Sequence, residues 1–189
     1  MSKVIELEER NQFRVLLHPV RLEMIRMLRL TGRPLTANDA ARLLSLSPLA
    51  AKGHLEKLAA LGLAETRTET DGQGRKRVLY SPADVELRLN LARKDAFQGE
   101  REALAAEFAD AVFRDTLETA RRYSEAEAEE NCLFSVGAAH LTRREREELA
   151  GLVRDYLSTH RVPTPEAEEE HWEFVLMARR APGEAEPRR

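Results

Sequence analysis

Two signals that begin helices lie close together in the stretch L-T-A-N-D-A-A-R-L-L-S-L-S-P-L-A-A-K-G-H-L-E-K-L-A-A-L-G-L. Thr36 is a favoured N-cap, and Asp39 three residues later approximates a capping box. Ser47 is a second favoured N-cap, and Pro48 suits the first position of the helix that follows it. Gly62 stands where a left-handed residue commonly ends a helix. The stretch therefore predicts two short helices in immediate succession.

The connection between these helices consists of Ser45 and Leu46 alone, which predicts a tight turn. Apolar residues recur at helical spacing in both helices, so each helix has one face for a core, and the opposite face of the second helix is free to contact another molecule. Together these features predict a helix-turn-helix. The expected core positions are Ala40, Leu43 and Leu44, then Ala51, Leu55, Leu58 and Leu61; the outward positions are Leu49, Lys52, Gly53 and Lys57.

Helical patterns also precede this unit. Residues 7–17 predict a short amphipathic helix. A second helix is expected to begin at Pro19 and to end at Thr31-Gly32. These helices can supply the rest of a small core for the helix-turn-helix.

An extended pattern follows the helix-turn-helix. Residues 63–70 are rich in threonine, D-G-Q-G supplies a reversal, and R-K-R-V-L-Y-S returns, so a β-hairpin is expected. The hairpin is basic, because Arg67 lies on its outgoing strand and Arg75, Lys76 and Arg77 lie at its tip and return strand. A basic hairpin in this place is a wing. Residues 1–82 are therefore expected to form a winged helix-turn-helix domain.

The charge distribution agrees with this division. The net charge of the 189-residue chain is -3, but residues 1–82 carry 14 Lys and Arg against 9 Asp and Glu, and the rest carries 16 against 24. Such a split suggests that only the first part meets a polyanion.

The single cysteine excludes a disulfide framework and fits a reducing cytosol. No run approaches the ~20 apolar residues of a membrane-spanning helix, so we expect a cytoplasmic protein with no membrane partner.

The middle of the chain, residues 83–130, predicts a long helical region. From Pro82 to about Tyr123 its apolar residues are intermittent and cannot all be buried within one chain, so a partner helix from a second copy is expected to cover them. Residues 124–131 predict a helix end and an acidic linker. The apolar positions are Leu87, Leu91, Phe97, Leu104, Phe108, Val112 and Leu117.

Residues 131–180 predict a small β-α-β unit. The stretches L-F-S-V-G-A-A-H-L and H-W-E-F-V-L-M-A have the composition of strands, and Thr142 with Glu145 forms a capping box for the helix between them. Two strands and one helix are too little for independent stability, so the unit is expected to pack on the long helix or to pair across a dimer. The tail, residues 181–189, is expected to be mobile. The fold class is thus mainly α with a small β component.

The segments from residue 13 to residue 82 resemble the ArsR-type winged helix-turn-helix regulators. The resemblance implies a bacterial or archaeal dimeric repressor that binds double-stranded DNA, with the second helix of the motif in the major groove and the wing along the backbone or minor groove. The matching positions are Pro19, Arg21, Leu22, His54, Leu55, Leu58, Gly62, Leu63 and Tyr80.

This sequence departs from the family pattern at two places. The motif T-A-N-D-A-A stands where the metal-sensing members place paired cysteines, so no metal site is carried over. Lys52 stands where these regulators commonly have serine, so base recognition or phosphate affinity should differ from the typical member. No cofactor is expected, and an unidentified effector at the C-terminal unit is left open.

The expected DNA contacts follow from the motif. Small residues at the start of the second helix let its backbone approach the groove, and the helix N-terminus can meet a phosphate. Lys52 could reach a guanine edge or a phosphate, whereas His54 either contacts the backbone or forms a hydrogen bond within the domain. The wing cations should supply sequence-independent affinity. The candidate residues are Thr36, Ser47, Pro48, Leu49, Lys52, Gly53, His54, Lys57, Arg67, Arg75, Lys76 and Arg77.

The sequence predicts a dimeric, sequence-specific transcriptional regulator, and two other functions are alternatives to it. The first is a winged-helix module for protein-protein interaction without DNA specificity. The second is an enzyme built on the C-terminal unit, which lacks a recognisable acid, base and nucleophile. Cys132 and His140 have no identifiable third partner, and the loop containing Glu166 between His160 and His171 matches no metal-ligand spacing. We therefore expect no enzymatic activity.

Overall fold

A computed structural model of the chain describes residues 3–160 and 169–179. Within these residues, helices form the larger part and the strands form two small sheets. In chain order the elements are β1 (Lys3–Glu6), α1 (Arg10–Leu16), α2 (Pro19–Thr31), β2 (Leu35–Thr36), α3 (Ala37–Leu43), α4 (Pro48–Ala60), β3 (Ala64–Thr70), β4 (Lys76–Pro82), β5 (Val85–Arg88), α5 (Gln98–Arg122), α6 (Glu125–Asn131) and α7 (Arg143–Thr159).

The first two helices begin and end at recognisable caps. A capping box formed by Glu9 and Gln12 begins α1 three residues later than the sequence predicted. Helix α2 begins at Pro19 and ends at Thr31, and its C-cap Gly32 has a left-handed φ of 60°, so the prediction for this helix is confirmed.

The helix-turn-helix is confirmed. Thr36 and Asp39 form a complete capping box at the start of α3, and the Ser47 hydroxyl accepts a hydrogen bond from the Ala50 N–H at 3.2 Å at the start of α4. In the turn, Ser45 adopts a left-handed φ of 53°. This conformation lets the chain turn from α3 into α4 over the four residues 44–47.

The core lies where α2, α3, α4 and the sheet meet. Ala51, Leu55 and Leu58 of α4 are fully buried, as predicted. The prediction for α3 was wrong at Leu43, which is 55% exposed. The buried residues of α3 are Ala40 and its neighbour Ala41; small side chains let the two helices approach closely.

The predicted wing is present. Strands β3 and β4 pair antiparallel from Ala64↔Pro82 to Thr70↔Lys76, and β2 adds to β4, so the sheet order is β2-β4-β3. At the tip, the Asp71 carboxylate accepts hydrogen bonds from the N–H groups of Gln73 and Arg75, both at 2.9 Å. These bonds hold the reversal in one conformation.

The region after the wing differs from the prediction of continuous helix from Pro82, which was wrong over residues 83–97. Strand β5 pairs in parallel with β1, in the register Lys3↔Val85 to Glu6↔Arg88, and the long helix α5 begins only at Gln98. The partner strand lies at the other end of the domain sequence, so no local pattern revealed it. The N-terminal strand thereby ties the start of the chain to the segment that leads into α5.

Helix α5 is anchored at its first turns. The rings of Phe13 and Phe97 lie 5.5 Å apart, and Leu104 is fully buried. Arg101 is also buried and donates hydrogen bonds to the Arg93 carbonyl at 2.7 Å and the Asp95 carboxylate at 2.5 Å. The beginning of α5 therefore belongs to the same core as the helix-turn-helix.

The C-terminal part confirms the predicted helix but not the predicted strands. Helix α7 has the expected capping box of Thr142 and Glu145, and the expected acidic linker forms the short helix α6. Residues 132–142 and 169–179 form no strand, so the prediction of a β-α-β unit within one chain was wrong. A strand needs a neighbouring edge, and the described residues of this chain offer none there. The loop residue Glu166 and the tail 181–189 lie outside the described residues.

Candidate nucleic-acid interface

A concave surface that encloses a volume of about 460 Å³ lies between the start of α3, one face of α4 and the wing. It brings together three residues that the sequence predicted as DNA contacts, namely Thr36, Lys52 and Arg77. They come from three different elements and are separated by up to 41 positions in the chain, from Thr36 to Arg77. The residues that line it are Thr36, Ala37, Asn38, Asp39, Arg42, Lys52, Arg77, Val78 and Tyr80, and we call them the concave surface.

Thr36 has a structural role in this surface. Its hydroxyl donates to the Asp39 carboxylate at 2.6 Å and accepts from the Asp39 N–H at 3.2 Å. The hydrogen bonds from Thr36, with Arg42 contributing, lower the pKa of Asp39 to about 2, so this carboxylate stays charged at neutral pH. The Thr36 side chain is therefore committed to the helix cap.

The cations at this interface differ in how far they are already neutralised. Arg42 contacts Asp39, and the Lys52 ammonium lies 3.7 Å from Glu56 across an exposed turn of α4. Within the described part of the chain, Arg77 forms no ion pair. Exposed pairs such as Lys52 with Glu56 contribute little and exchange readily. Both Lys52 and Arg77 are thus available to a polyanion.

The beginning of α4 is unobstructed. Ser47, Pro48 and Leu49 are all exposed, and the Leu49 side chain is 82% exposed. One turn later, a Cβ built on Gly53 would meet no heavy atom within 4 Å. Nothing else in the described structure covers this end of the helix.

His54 faces another part of the domain. Its ring lies 4.8 Å from that of His18, at the N-terminus of α2, and its Nδ1 lies 3.4 Å from a guanidinium nitrogen of Arg21. Burial is the main cause that lowers the pKa of both histidines; the charge of His18 then lowers the pKa of His54, and the charges of Arg21 and Lys57 lower both. Of the two roles considered for His54, these contacts favour the one within the domain.

Arg21 explains why His54 is held there. The buried guanidinium donates to the carbonyl of Arg14 at 2.9 Å and to that of Val15, so it satisfies the last turn of α1. The same group lies against His54 of α4. Arg21 therefore joins α1, α2 and α4. Lys57 is exposed beside this cluster and forms no ion pair among the described residues.

The wing cations have unequal surroundings. Arg67 pairs with Glu69 at 2.5 Å on its own strand. Arg75 binds Asp71 at 3.0 Å and so helps to hold the tip, and Lys76 is exposed without an ion pair in the described structure. The wing thus presents Lys76 and Arg77 outward, whereas Arg75 also has a part in the turn.

Sequence reasoning missed Asn38 and Arg42, which line the concave surface. Asn38 is exposed in the first turn of α3, and Arg42 is exposed in its last turn. The sequence offered a signal for them, because both are polar residues of the first helix of the motif, on the face opposite the predicted core residue Ala40.

The part of the chain that the structure describes holds neither a cluster of metal ligands nor a membrane-spanning helix. No group of three or more His, Cys, Asp and Glu there could hold a metal ion, and no helix there is long and apolar enough to cross a membrane. Cys132 is a half-buried free thiol whose Sγ lies 3.7 Å from the Thr116 carbonyl.

Two capped helices joined by a tight turn, followed by an antiparallel wing, define a winged helix-turn-helix domain. A family model described as a helix-turn-helix domain matches residues 16–67, which include α2, α3 and α4. No curated protein matches the sequence. The match covers less than a third of the chain, so it describes this domain alone.

Several solved structures are similar to this chain. A possible transcriptional regulator from Methanosarcina mazei Go1 is 13% identical over 55% of this chain and 81% of its own, with a TM-score of 0.35. A transcriptional regulator homologue from Pyrococcus horikoshii OT3 is 20% identical over 56% and 95%, with a TM-score of 0.35. A probable transcriptional regulator from Pseudomonas aeruginosa is 24% identical over 77% and 89%, with a TM-score of 0.32. With TM-scores this low, the likenesses carry no functional conclusion.

Proposed function

We propose that this chain is a homodimeric transcriptional regulator that binds double-stranded DNA with sequence specificity. The N-terminal end of α4 enters the major groove, and the wing lies along the phosphate backbone. The observation that carries this proposal is the concave surface, which brings Lys52 of α4 and Arg77 of the wing to one face of the domain. Repression, rather than activation, is what the resemblance to ArsR-type regulators implies.

The shape of α4 supports docking in a groove. Its leading residues are small or exposed, and Gly53 adds no side chain where the helix would approach the DNA. A major groove about 12 Å wide accepts a helix only where bulky side chains do not obstruct it. Ser47 and the positive end of the helix dipole are positioned to meet a phosphate there.

The charges support a division of roles. Lys52 lies on α4 itself and is the cation best placed to reach a base edge or a nearby phosphate. Lys76 and Arg77 lie on the wing, where contacts to phosphate give affinity without sequence preference. Lys57 extends the positive surface along α4, and Thr36 supports the surface through its cap.

The two faces of α5 support a dimer. Leu104 and Phe108 face the core, whereas Phe113 and Leu117 are exposed one turn apart. At 100° per residue, Leu117 lies about 180° round the helix from Phe108. An apolar face turned away from the chain's own core is suited to a second copy, which would present two α4 helices to one duplex.

The test is a fluorescence-anisotropy titration of the full chain with duplex DNA from upstream of its own gene and with a scrambled duplex, at salt concentrations from about 50 mM to 200 mM. We expect tighter binding of the upstream duplex and a steep fall in affinity with salt. Lys52→Ala should weaken binding of the upstream duplex by roughly 1–3 kcal/mol and reduce the difference in affinity between the upstream and the scrambled duplex.

Lys94→Ala is the matched control, because Lys94 is exposed and lies outside α3, α4 and the wing. This variant should bind both duplexes as the unaltered protein does. Equal affinity of the unaltered protein for both duplexes would favour the alternative, a winged-helix module for protein contact. A loss of discrimination on wing substitution but not on Lys52→Ala would reverse the roles assigned to α4 and the wing.

A further inference from the structure

A crevice of about 440 Å³ opens between α2 and α5, apart from the concave surface. Small-molecule sites commonly have volumes of roughly 300–1,000 Å³, with apolar walls and a few polar groups. Six of the eleven residues that line the crevice are apolar and five are charged, and the apolar residues include Leu44, the C-cap of α3. The apolar residues of the crevice are Pro19, Val20, Leu22, Leu44, Phe108 and Ala111.

Both cations of the crevice are already neutralised. The buried guanidinium of Arg26 binds Glu173 at 2.6 Å, Glu23 at 3.0 Å and also Asp115. The hydrogen bonds that Arg26 donates to the Glu173 carboxylate, followed by the one that it donates to Asp115, raise the pKa of Arg26. The second cation, Arg114, binds Asp110 at 2.8 Å. Neither guanidinium is left to attract an anion.

The carboxylates outnumber these cations. Glu23, Glu107 and Asp115 line the crevice, and Asp110 and Glu173 bind its two arginines from outside the lining, which makes five carboxylates against two guanidinium groups. Glu107 is exposed at the rim and has no ion pair within the described residues. The local field therefore favours a cation over an anion of the same shape.

We propose that this crevice binds a small amphipathic organic cation. The apolar body of the ligand packs against Leu44, Phe108 and Ala111, and its ammonium group lies at the rim beside Glu107. Charge complementarity selects the cation, and the apolar walls select a ligand with an aromatic or aliphatic body over a hydrated metal ion.

The test uses two molecules of nearly the same shape and opposite charge, phenylbutylamine and phenylbutyrate. Each is titrated into the full chain in the absence of DNA by isothermal calorimetry at neutral pH. We expect the amine to bind and the carboxylate to bind at least about tenfold more weakly. Glu107→Gln should weaken binding of the amine about threefold to fivefold. Glu118→Gln removes one charge from α5 outside the crevice and should change nothing.

A second variant tests the volume of the crevice. Ala111→Phe places a ring inside it and should abolish binding of the amine, with an unchanged circular-dichroism spectrum to show that the chain is folded. Equal binding of both molecules, or binding of the amine that neither Glu107→Gln nor Ala111→Phe reduces, would overturn the proposal. The proposal would also be overturned if the amine did not bind and Ala111→Phe disrupted self-association, because a second copy of the chain would then occupy the crevice.

A consequence for DNA binding rests on the proposed function. A ligand against Leu44 contacts the residue from which the chain turns into α4, so the amine should change the affinity for the upstream duplex in the unaltered protein and not in Ala111→Phe. Calorimetry without DNA decides whether the site exists, whatever the outcome of the DNA titration. An amine that binds and leaves DNA affinity unchanged would refute this coupling.

Discussion

Gly53 has no packing role inside the described structure, since a Cβ there would meet no heavy atom within 4 Å. A glycine in the middle of a helix costs roughly 0.5–1 kcal/mol relative to alanine. Gly53→Ala should therefore raise the free energy of unfolding by about that amount, measured by urea denaturation. The same change should weaken binding of the upstream duplex, because the added methyl group would stand where we propose that α4 approaches DNA.

Gly151→Ala is the matched control. Gly151 lies in the middle of α7 and also has open space at its Cβ. This substitution should stabilise its helix without any effect on DNA affinity. If Gly53→Ala raised stability and left DNA affinity intact, the close approach of α4 to the groove would be excluded.

The contact of His18 with His54 should make the stability of the domain depend on pH. Burial, with Arg21 and Lys57 nearby, lowers the pKa of both histidines below their ordinary value of 6.5. The unfolded chain therefore takes up protons first as the pH falls through 6.5, and the free energy of unfolding should decrease below that pH. Above it both states are neutral at these positions, and the effect vanishes.

The double variant His18→Gln/His54→Gln should flatten this dependence between about pH 7.5 and 5.5, measured as the slope of unfolding free energy against pH. The comparison uses this slope and not the free energy of unfolding itself, because loss of the contact between the rings should lower the free energy of unfolding at every pH. His140→Gln alters an exposed histidine and should keep the original slope. Asp39, with its pKa of about 2, does not titrate in this range. Identical slopes in all three proteins would show that folding does not change the pKa values of His18 and His54.

Among the elements, those with local signals were predictable. The caps at Thr36, Ser47 and Pro19, and the reversal at D-G-Q-G, placed α2, α3, α4 and the wing correctly, because capping and turn formation depend on neighbouring residues. Strand β5 was missed, since its partner β1 is more than 80 positions away. The prediction of strands near α7 was wrong because an alternating pattern does not by itself supply a neighbouring strand to pair with.

The wing carries an element-scale prediction. Arg77→Ala removes a cation that forms no ion pair in the described structure, so one phosphate contact should be lost. The slope of log K against log salt should become shallower by about 1, and both duplexes should lose affinity by a similar factor. Arg88→Ala, outside the wing, should leave the slope unchanged. A change in sequence preference on Arg77→Ala would mean that the wing reads bases.

For the whole molecule, the outward face of α5 should decide the oligomeric state. Phe113→Glu/Leu117→Glu places two charges on this face and should convert a dimer to a monomer, measured by light scattering after gel filtration. The monomer should bind the upstream duplex far more weakly, because only one α4 helix is then available.

Phe113→Leu/Leu117→Met keeps the face apolar and should remain a dimer. Both double variants alter residues that are exposed in the single chain, so neither should unfold it. A monomeric unaltered protein with full DNA affinity would contradict the dimer.

The sequence by itself determined the winged helix-turn-helix, the order of its helices and the set of cations that surround it, because caps, periodicity and charge are properties of neighbouring residues. Only the tertiary structure decided that His54 lies against His18 and Arg21, that Thr36 is committed to its cap while Lys52 and Arg77 share one surface, and that Arg26 is bound by Glu173. These contacts join residues far apart in the chain, so they follow from how the elements pack and not from any local pattern.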